Sequence, residues 1–201
     1  MKVCILNYGS GNIKSVYNLL NYLNYPTIIS NKKNDILNCT HIILPGVGSF
    51  RSSMEKIKSL IPLGTLEKEV INFEKPFLGI CVGMQLLATK GHEVQETNGL
   101  GWIDGEVKRI SAKNIPLPHI GWQSLKIKNK SQITKNVDNL DFYFVHSYAL
   151  NVKKRQEVLA CTFYGEEFCS IVQKKNIIGV QFHPEKSQQA GIKIFQNFLS
   201  L

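Results

Sequence analysis

The stretch PFLGICVGMQLL, residues 76–87, sets one cysteine between two glycines, where an apolar strand-like run gives way to a helical pattern. Gly79-Ile80-Cys81-Val82-Gly83 has the G-x-nucleophile-x-G spacing of a sharp strand-to-helix turn. Glycines are needed there because the turn is tight and neighbouring segments approach too closely for a Cβ. Such a turn lifts the Cys81 side chain clear of the sheet, beside a helix N-terminus whose dipole and unpaired N–H groups favour a thiolate. An unassisted thiol is only a few per cent ionised at neutral pH, so a nucleophilic cysteine also needs a neighbouring base.

The histidines available are His41, His92, His119, His146 and His183. His183 stands apart because GVQFHPEKS ends an apolar run and carries Glu185 two residues later. In an extended segment residues i and i+2 face the same way, so the carboxylate can fix the imidazole's tautomer and support its cationic form. Pro184 between them pins φ and donates no backbone hydrogen bond, which suits a strand end. A third feature is LPGVGSF, residues 44–50, an apolar strand closed by a glycine-rich turn. Turns of this kind expose N–H groups that can hold an oxyanion, and the tetrahedral intermediate of acyl transfer needs two such donors. The N–H of Val82, directly after the cysteine, is one natural supplier, and the 44–50 loop can provide the other.

These groups are far apart in sequence, so a fold must gather them. The first half alternates strands and helices. KVCIL closes in the turn NYGSGN, then Ile13, Val16, Tyr17, Leu20 and Leu23 recur at helical spacing. TIIS and HIILPG follow as strands, then a helix from about 63 to 73, the strand FLGI, and a helix from Met84 to about Lys90-Gly91. Strands alternating with helices predict a parallel sheet with helices on both faces. The second half is richer in strands. GEVKRIS, QSLKIK, FYFVHSYAL, VLACTFY and FCSIVQKKNIIGVQFHP read as a meander with a hairpin turn at Lys175-Asn176, and 187–201 as a closing helix. The expectation is one α/β domain over residues 1–201, a mostly parallel central sheet with flanking helices and an antiparallel strand extension.

Composition narrows the function classes. A chain of 201 residues, 43% hydrophobic and 19% charged, can bury a sizeable core, and no apolar run approaches the length of a membrane helix. The N-terminus turns polar too soon for a signal peptide, so the expected location is the cytoplasm. The five cysteines, Cys4, Cys39, Cys81, Cys161 and Cys169, show no CxxC spacing, which argues against a disulfide framework or a zinc site. All but Cys81 read as small buried hydrophobes. The net charge of +9 is spread over short groups such as Lys153-Lys154-Arg155, without interleaved aromatics, and reads as a solvated surface. Gly9-x-Gly11 lacks the third glycine of a dinucleotide fingerprint, the position being Lys14.

GICVGMQLL, VQFHPEKS and LPGVGSF together closely resemble the class I, triad-type glutamine amidotransferases. NYGSGNIKSV, NGLGWIDGEV, PHIGWQ and FYFVHSYAL narrow the resemblance to the glutaminase subunits of imidazole glycerol phosphate synthases, in order and over almost the full chain. A cysteine peptidase or deglycase shares the elbow but leaves the late HPE, VHSY and PHIGW unexplained. The resemblance implies a Cys81–His183–Glu185 triad in which Cys81 attacks the side-chain amide of glutamine. It implies oxyanion donors at Val82 and, after rearrangement of the Pro45-Gly46-Val47-Gly48 loop, at Val47. Gln85, Glu93, His146, Ser147 and Tyr148 match substrate-holding positions, Glu93 suited to the α-amino group, although His146 equally fits a core histidine with a hydrogen-bond partner.

The resemblance implies no cofactor and no metal. It implies a (β/α)₈ cyclase partner in a heterodimer, which receives ammonia through a protected channel to make imidazole glycerol phosphate in histidine biosynthesis. It also implies a glutaminase nearly silent until that partner binds its own substrate. Asn7, Val82 and Gln123 depart from the family's commoner Asp, Leu and Asn. An alternative is therefore a paralogous subunit feeding ammonia to a different synthase, such as one that modifies a surface-polysaccharide sugar.

Overall fold

Short apolar runs bounded by Gly, Pro and Asn become strands in the computed structural model, which describes residues 1–112 and 115–201. In chain order the first half gives β1 (Val3–Leu6), α1 (Ile13–Tyr22), β2 (Thr27–Ser30), α2 (Lys33–Asn38), β3 (His41–Gly46) and α3 (Phe50–Leu60). It continues through α4 (Leu63–Glu67) and a π-helical turn (Lys68–Asn72) to β4 (Phe77–Cys81) and α5 (Val82–Gln85). The second half adds β5 (Ala88–Gly91), β6 (Thr97–Asn98), β7 (Ile103–Arg109), β8 (His119–Ser124), β9 (Lys126–Ile127), β10 (Asp141–His146) and β11 (Tyr148–Val152). The chain ends with β12 (Val158–Tyr164), β13 (Glu166–Lys174), β14 (Ile177–Val180) and α6 (Gln188–Leu199).

The large sheet has the order β2-β1-β3-β4-β14-β13-β12-β9. Its first five strands are parallel, and the β14–β13, β13–β12 and β12–β9 pairs are antiparallel. β1, β3, β4 and β14 are buried at every position. A strand covered on both faces reads as an unbroken apolar run, which is why VCIL, HIIL and IIGV show no alternation. The amphipathic α1 turns Val16 and Leu20 inward, and α6 buries Ile194, Phe195, Phe198 and Leu199. The hairpin turn expected at Lys175-Asn176 is present, with Lys175 in the left-handed region at φ 54°.

Several readings are corrected. The helix expected from Met84 to Gly91 stops after one turn at Gln85, and Ala88–Gly91 runs as β5 between β7 and β6. Leu86, Leu87 and Ala88 are good helix formers, but strand pairing overrides that preference. FYFVHSYAL is not one strand. The chain bends at Ser147, so β10 pairs with β8 while β11 pairs with β7 in a separate four-stranded sheet, and the expected simple meander is divided among three sheets. Two helices went unread. α2 buries only Ile36 and offers no periodicity, whereas α3 shows Phe50, Ser53, Met54 and Ile57 at helical spacing behind the N-cap Ser49.

Candidate functional site

The segments that follow the C-terminal ends of β1, β3, β4 and β14 meet at one place, the crevice where open parallel sheets hold ligands. Cys81 is the last residue of β4 and adopts φ 54°, ψ −112°. For a residue with a Cβ that conformation costs about 1–3 kcal/mol and persists only where its surroundings enforce it. Here the enforcement is close packing between glycines. A Cβ on Gly79 would lie 2.5 Å from the Gly83 carbonyl oxygen, and one on Gly83 would lie 1.9 Å from the Leu44 carbonyl oxygen. α5 is thereby pressed against β3 and β4, and Cys81 faces a cavity of about 250 Å³.

His183 lines the same cavity. Its Nδ1 lies 2.9 Å from Glu185 Oε1, and that carboxylate is fully enclosed. Burial pulls the imidazole toward its neutral form. The hydrogen bonds and negative charges of Cys81 and Glu185 outweigh it and lift the pKa from 6.5 to about 10. The ring is therefore held protonated at neutral pH between a sulfur on one side and a carboxylate on the other. The two residues are not side by side on a strand, as the i, i+2 argument expected. Pro184 begins a single 3₁₀ turn, Pro184–Lys186, because its fixed φ and missing N–H suit the first helical position. The carboxylate reaches the ring across that turn. Asn12 Nδ2 donates to the same Oε1 at 3.0 Å and helps fix it.

The far wall of the cavity comes from the β10–β11 bend: Val145, His146, Ser147 and Tyr148. His146 Nδ1 donates to the Tyr148 carbonyl at 2.9 Å, so its Nε2 is an acceptor, and His119 Nδ1 donates to it at 3.2 Å. That order leaves His119 Nε2 buried and without a partner among the described residues. His119 stacks on Tyr164 with ring centroids 3.9 Å apart. Burial lowers the His119 pKa to about 4 and the His146 pKa to about 3, so both rings are neutral. His146 thus fits both readings the sequence left open: it is a hydrogen-bonded core histidine and its edge lines the cavity.

Two polar side chains reach the cavity from other directions. Glu93 Oε2 accepts from the Phe50 N–H at 2.6 Å, at the start of α3, and its backbone carbonyl accepts from the Tyr148 hydroxyl at 3.0 Å. Gln85 Nε2 donates to the Tyr148 carbonyl at 2.8 Å and to Gln181 Oε1 at 3.1 Å. Val47, Gly48 and Val82 complete the wall on the side of Cys81. Ser10 Oγ donates to the Val47 carbonyl at 2.6 Å.

The fold therefore gathers Cys81, Val82, Gln85, Glu93, His146, Ser147, Tyr148, His183, Val47 and Gly48 around one cavity, with Glu185 behind His183. Gly46 lies outside the lining. It ends β3 in register with Cys81, and a Cβ there would meet the Gly83 nitrogen at 2.5 Å, so its part is close packing. Sequence reasoning missed Gln181, Asn12 and Ser10, and named His119 only as one of five available histidines. Gln181 stands two before His183, and Asn12 and Ser10 lie in the turn NYGSGN after β1, where position at a strand's C-terminal end was the available signal.

The other thiols are placed differently. All five cysteines are buried and free, and burial pushes Cys161 up to about 11 and Cys169 well above its ordinary value. Cys4 is also raised, first by its hydrogen bond with Cys39 and then by burial. Among the described residues no cluster of three or more His, Cys, Asp or Glu could hold a metal, and no helix is long and apolar enough to cross a membrane. The arrangement in the cavity suits acyl transfer: a thiol, an imidazole held protonated on the same wall, and backbone N–H groups at a helix start.

Residues 4–201 match the family model described as glutamine amidotransferase class-I. A protein of Vibrio vulnificus (strain YJ016) named imidazole glycerol phosphate synthase subunit HisH 2 is 42% identical over 202 residues, spanning 99% of this chain and 94% of that relative. A Methanococcus maripaludis protein of the same name is 41% identical and spans 98% of each. Among solved structures, one described as a glutamine amidotransferase superposes with a TM-score of 0.78 at 18% identity, over 98% of this chain and 97% of that one. The structure of PurLQS from Thermotoga maritima superposes with a TM-score of 0.77 at 18% identity, over 99% and 97%.

Proposed function

The chain belongs to the class-I glutamine amidotransferases, and from that premise we propose that it is the glutaminase subunit of an imidazole glycerol phosphate synthase. In this reading the Cys81 sulfur attacks the side-chain carboxamide carbon of glutamine. The resulting oxyanion rests on the N–H of Val82 and, once the 45–48 loop has turned, on that of Val47. Collapse expels ammonia, which takes its proton from His183. The imidazole then draws a proton from water as that water attacks the γ-glutamyl thioester; collapse releases glutamate and returns the thiolate beside the imidazolium. Glu185 holds the imidazole in the required tautomer. Gln85, Glu93, His146, Ser147 and Tyr148 hold the amino acid, and Glu93 offers its second carboxylate oxygen to the α-ammonium group.

The observation that carries the reading is that Cys81 and His183 line one small cavity, with the Glu185 carboxylate 2.9 Å behind the imidazole, an arrangement that favours the protonated ring. An imidazolium is the form needed to protonate a departing amide nitrogen. The curated relatives are named as subunits, which supports a partner, here a (β/α)₈ cyclase that consumes the ammonia. Ile120 and Trp122, exposed on the same face of β8 beside the cavity residue Pro118, offer an apolar patch for that contact. Residues 1–201 act as one catalytic domain, and the location that fits the chemistry is the cytoplasm.

Replacing Cys81 with Ala is expected to abolish glutamine-dependent turnover by the complex while ammonium salts still support the partner's synthesis. The measurement is product formation with each nitrogen source. Glutamine-dependent synthesis that survives the substitution overturns the reading, and loss of both activities overturns the assigned role of Cys81.

A further inference from the structure

Gln181 follows the last residue of β14 and is fully buried, yet its side chain belongs to no step described above. Its orientation is fixed by its neighbours. Gln85 Nε2 has two protons, and the Tyr148 carbonyl, which can only accept, takes one of them at 2.8 Å. The other goes to Gln181 Oε1 at 3.1 Å. With its oxygen committed, Gln181 must present its NH₂ to the opposite side, where Nε2 stands 3.8 Å from the Cys81 sulfur. Another polar neighbour of the sulfur is the Val145 carbonyl, also at 3.8 Å. A carbonyl oxygen accepts from a thiol and repels a thiolate, whereas an amide N–H favours the thiolate. The site therefore holds one contact that serves each form.

We propose that Gln181 is a further catalytic residue: its carboxamide N–H donates to the Cys81 sulfur and holds the negative charge there before attack. The proposal rests on the glutaminase reading. As the sulfur's electron pair forms the S–C bond, the carbonyl π pair moves onto oxygen and the Gln181 contact weakens. When water displaces the sulfur from the thioester, the S–C pair returns to sulfur and the same N–H receives it. Gln181 thus assists the nucleophile in the first half of the reaction and the leaving group in the second. A hydrogen bond to a charged, enclosed acceptor is among the stronger ones a neutral amide can make.

The test compares the wild-type chain with Gln181→Met, which keeps the length and removes the donor, and Gln181→Glu, which keeps the shape and adds a repelling charge. The probe is iodoacetamide, with alkylation of Cys81 followed by mass spectrometry across pH. The expected midpoint of the alkylation profile moves about one pH unit to the alkaline side in Gln181→Met and further in Gln181→Glu. At pH values below the wild-type midpoint alkylation then slows roughly tenfold in Gln181→Met. Glutamate release over long incubations falls by at least the same factor, mainly in kcat.

If Gln181 only props up Gln85, KM for glutamine rises while the alkylation midpoint stays in place in whichever variant folds. That result overturns the proposal. Wild-type protein that releases no glutamate even in complex with the cyclase and the cyclase's own substrate, with a midpoint that still moves in the variants, overturns the glutaminase reading and leaves the sulfur contact standing.

Discussion

The proton on His183 is held from both sides, and the two holders can be separated. Burial alone lowers the pKa of an imidazole, and the rise to about 10 comes from Cys81 first and Glu185 second. Because the folded-state pKa exceeds the ordinary 6.5, the protonated ring contributes stability that is complete below about pH 6.5 and is lost as pH rises through about 10. In Cys81→Ala the hydrogen bond and charge of the sulfur disappear while burial and Glu185 remain. The His183 titration midpoint, followed by NMR of the imidazole, is expected to move toward acid in that variant. An unchanged midpoint would show that the sulfur carries no negative charge at rest. The residues of this pair were legible in the sequence from type and spacing. Their supporting partners were not, because Asn12 and Gln181 become significant only when the turn after β1 and the segment after β14 are brought beside β4.

At the scale of elements the site depends on how closely α5 crosses β3 and β4. The absent Cβ of Gly83 makes room for the Leu44 carbonyl, a backbone group that cannot move without disturbing β3. Gly83→Ala is expected to cost more than about 3 kcal/mol in chemical denaturation, or to prevent folding. Gly64 is the matched control, since it is exposed in α4 and a Cβ there meets nothing within 4 Å. Gly64→Ala is expected to stabilise the protein by about 0.5–1 kcal/mol, through reduced freedom of the unfolded chain and better helix propensity. Equal effects at the two positions would rule out close packing as the reason for Gly83. The elbow was readable because two glycines around one cysteine have few physical explanations. The short α5 and the strand after it were not, because MQLLA favours helix locally and only pairing of β5 with β6 and β7 redirects it. The break within FYFVHSYAL was hidden for a related reason: its alternation fits a strand on both sides of Ser147, and only the pairing partners differ.

Across the whole molecule, the neutral pair His119 and His146 joins the β8–β10 ribbon to the antiparallel end of the large sheet, where His119 meets Tyr164 and Phe168. Both rings have pKa values lowered by burial, to about 4 and about 3, and His41 is lowered in the same sense. In the unfolded chain all three return to about 6.5. Between about pH 6.5 and 4 the unfolded state therefore binds more protons than the folded one, so stability falls as pH falls through that window. A proton on His119 has no acceptor waiting among the described residues, where its Nε2 is buried and unpartnered, and a second charge beside the protonated His183 is opposed at His146. The thermal unfolding midpoint is thus expected to drop from pH 7 to pH 5 more steeply in the wild type than in His119→Phe. Phenylalanine keeps the stack on Tyr164 and removes one titrating group, so the dependence of the variant on pH is expected to flatten by up to one proton whatever stability it starts from. Parallel slopes for the two proteins would mean that the acid sensitivity arises elsewhere, with His41 the next group to replace.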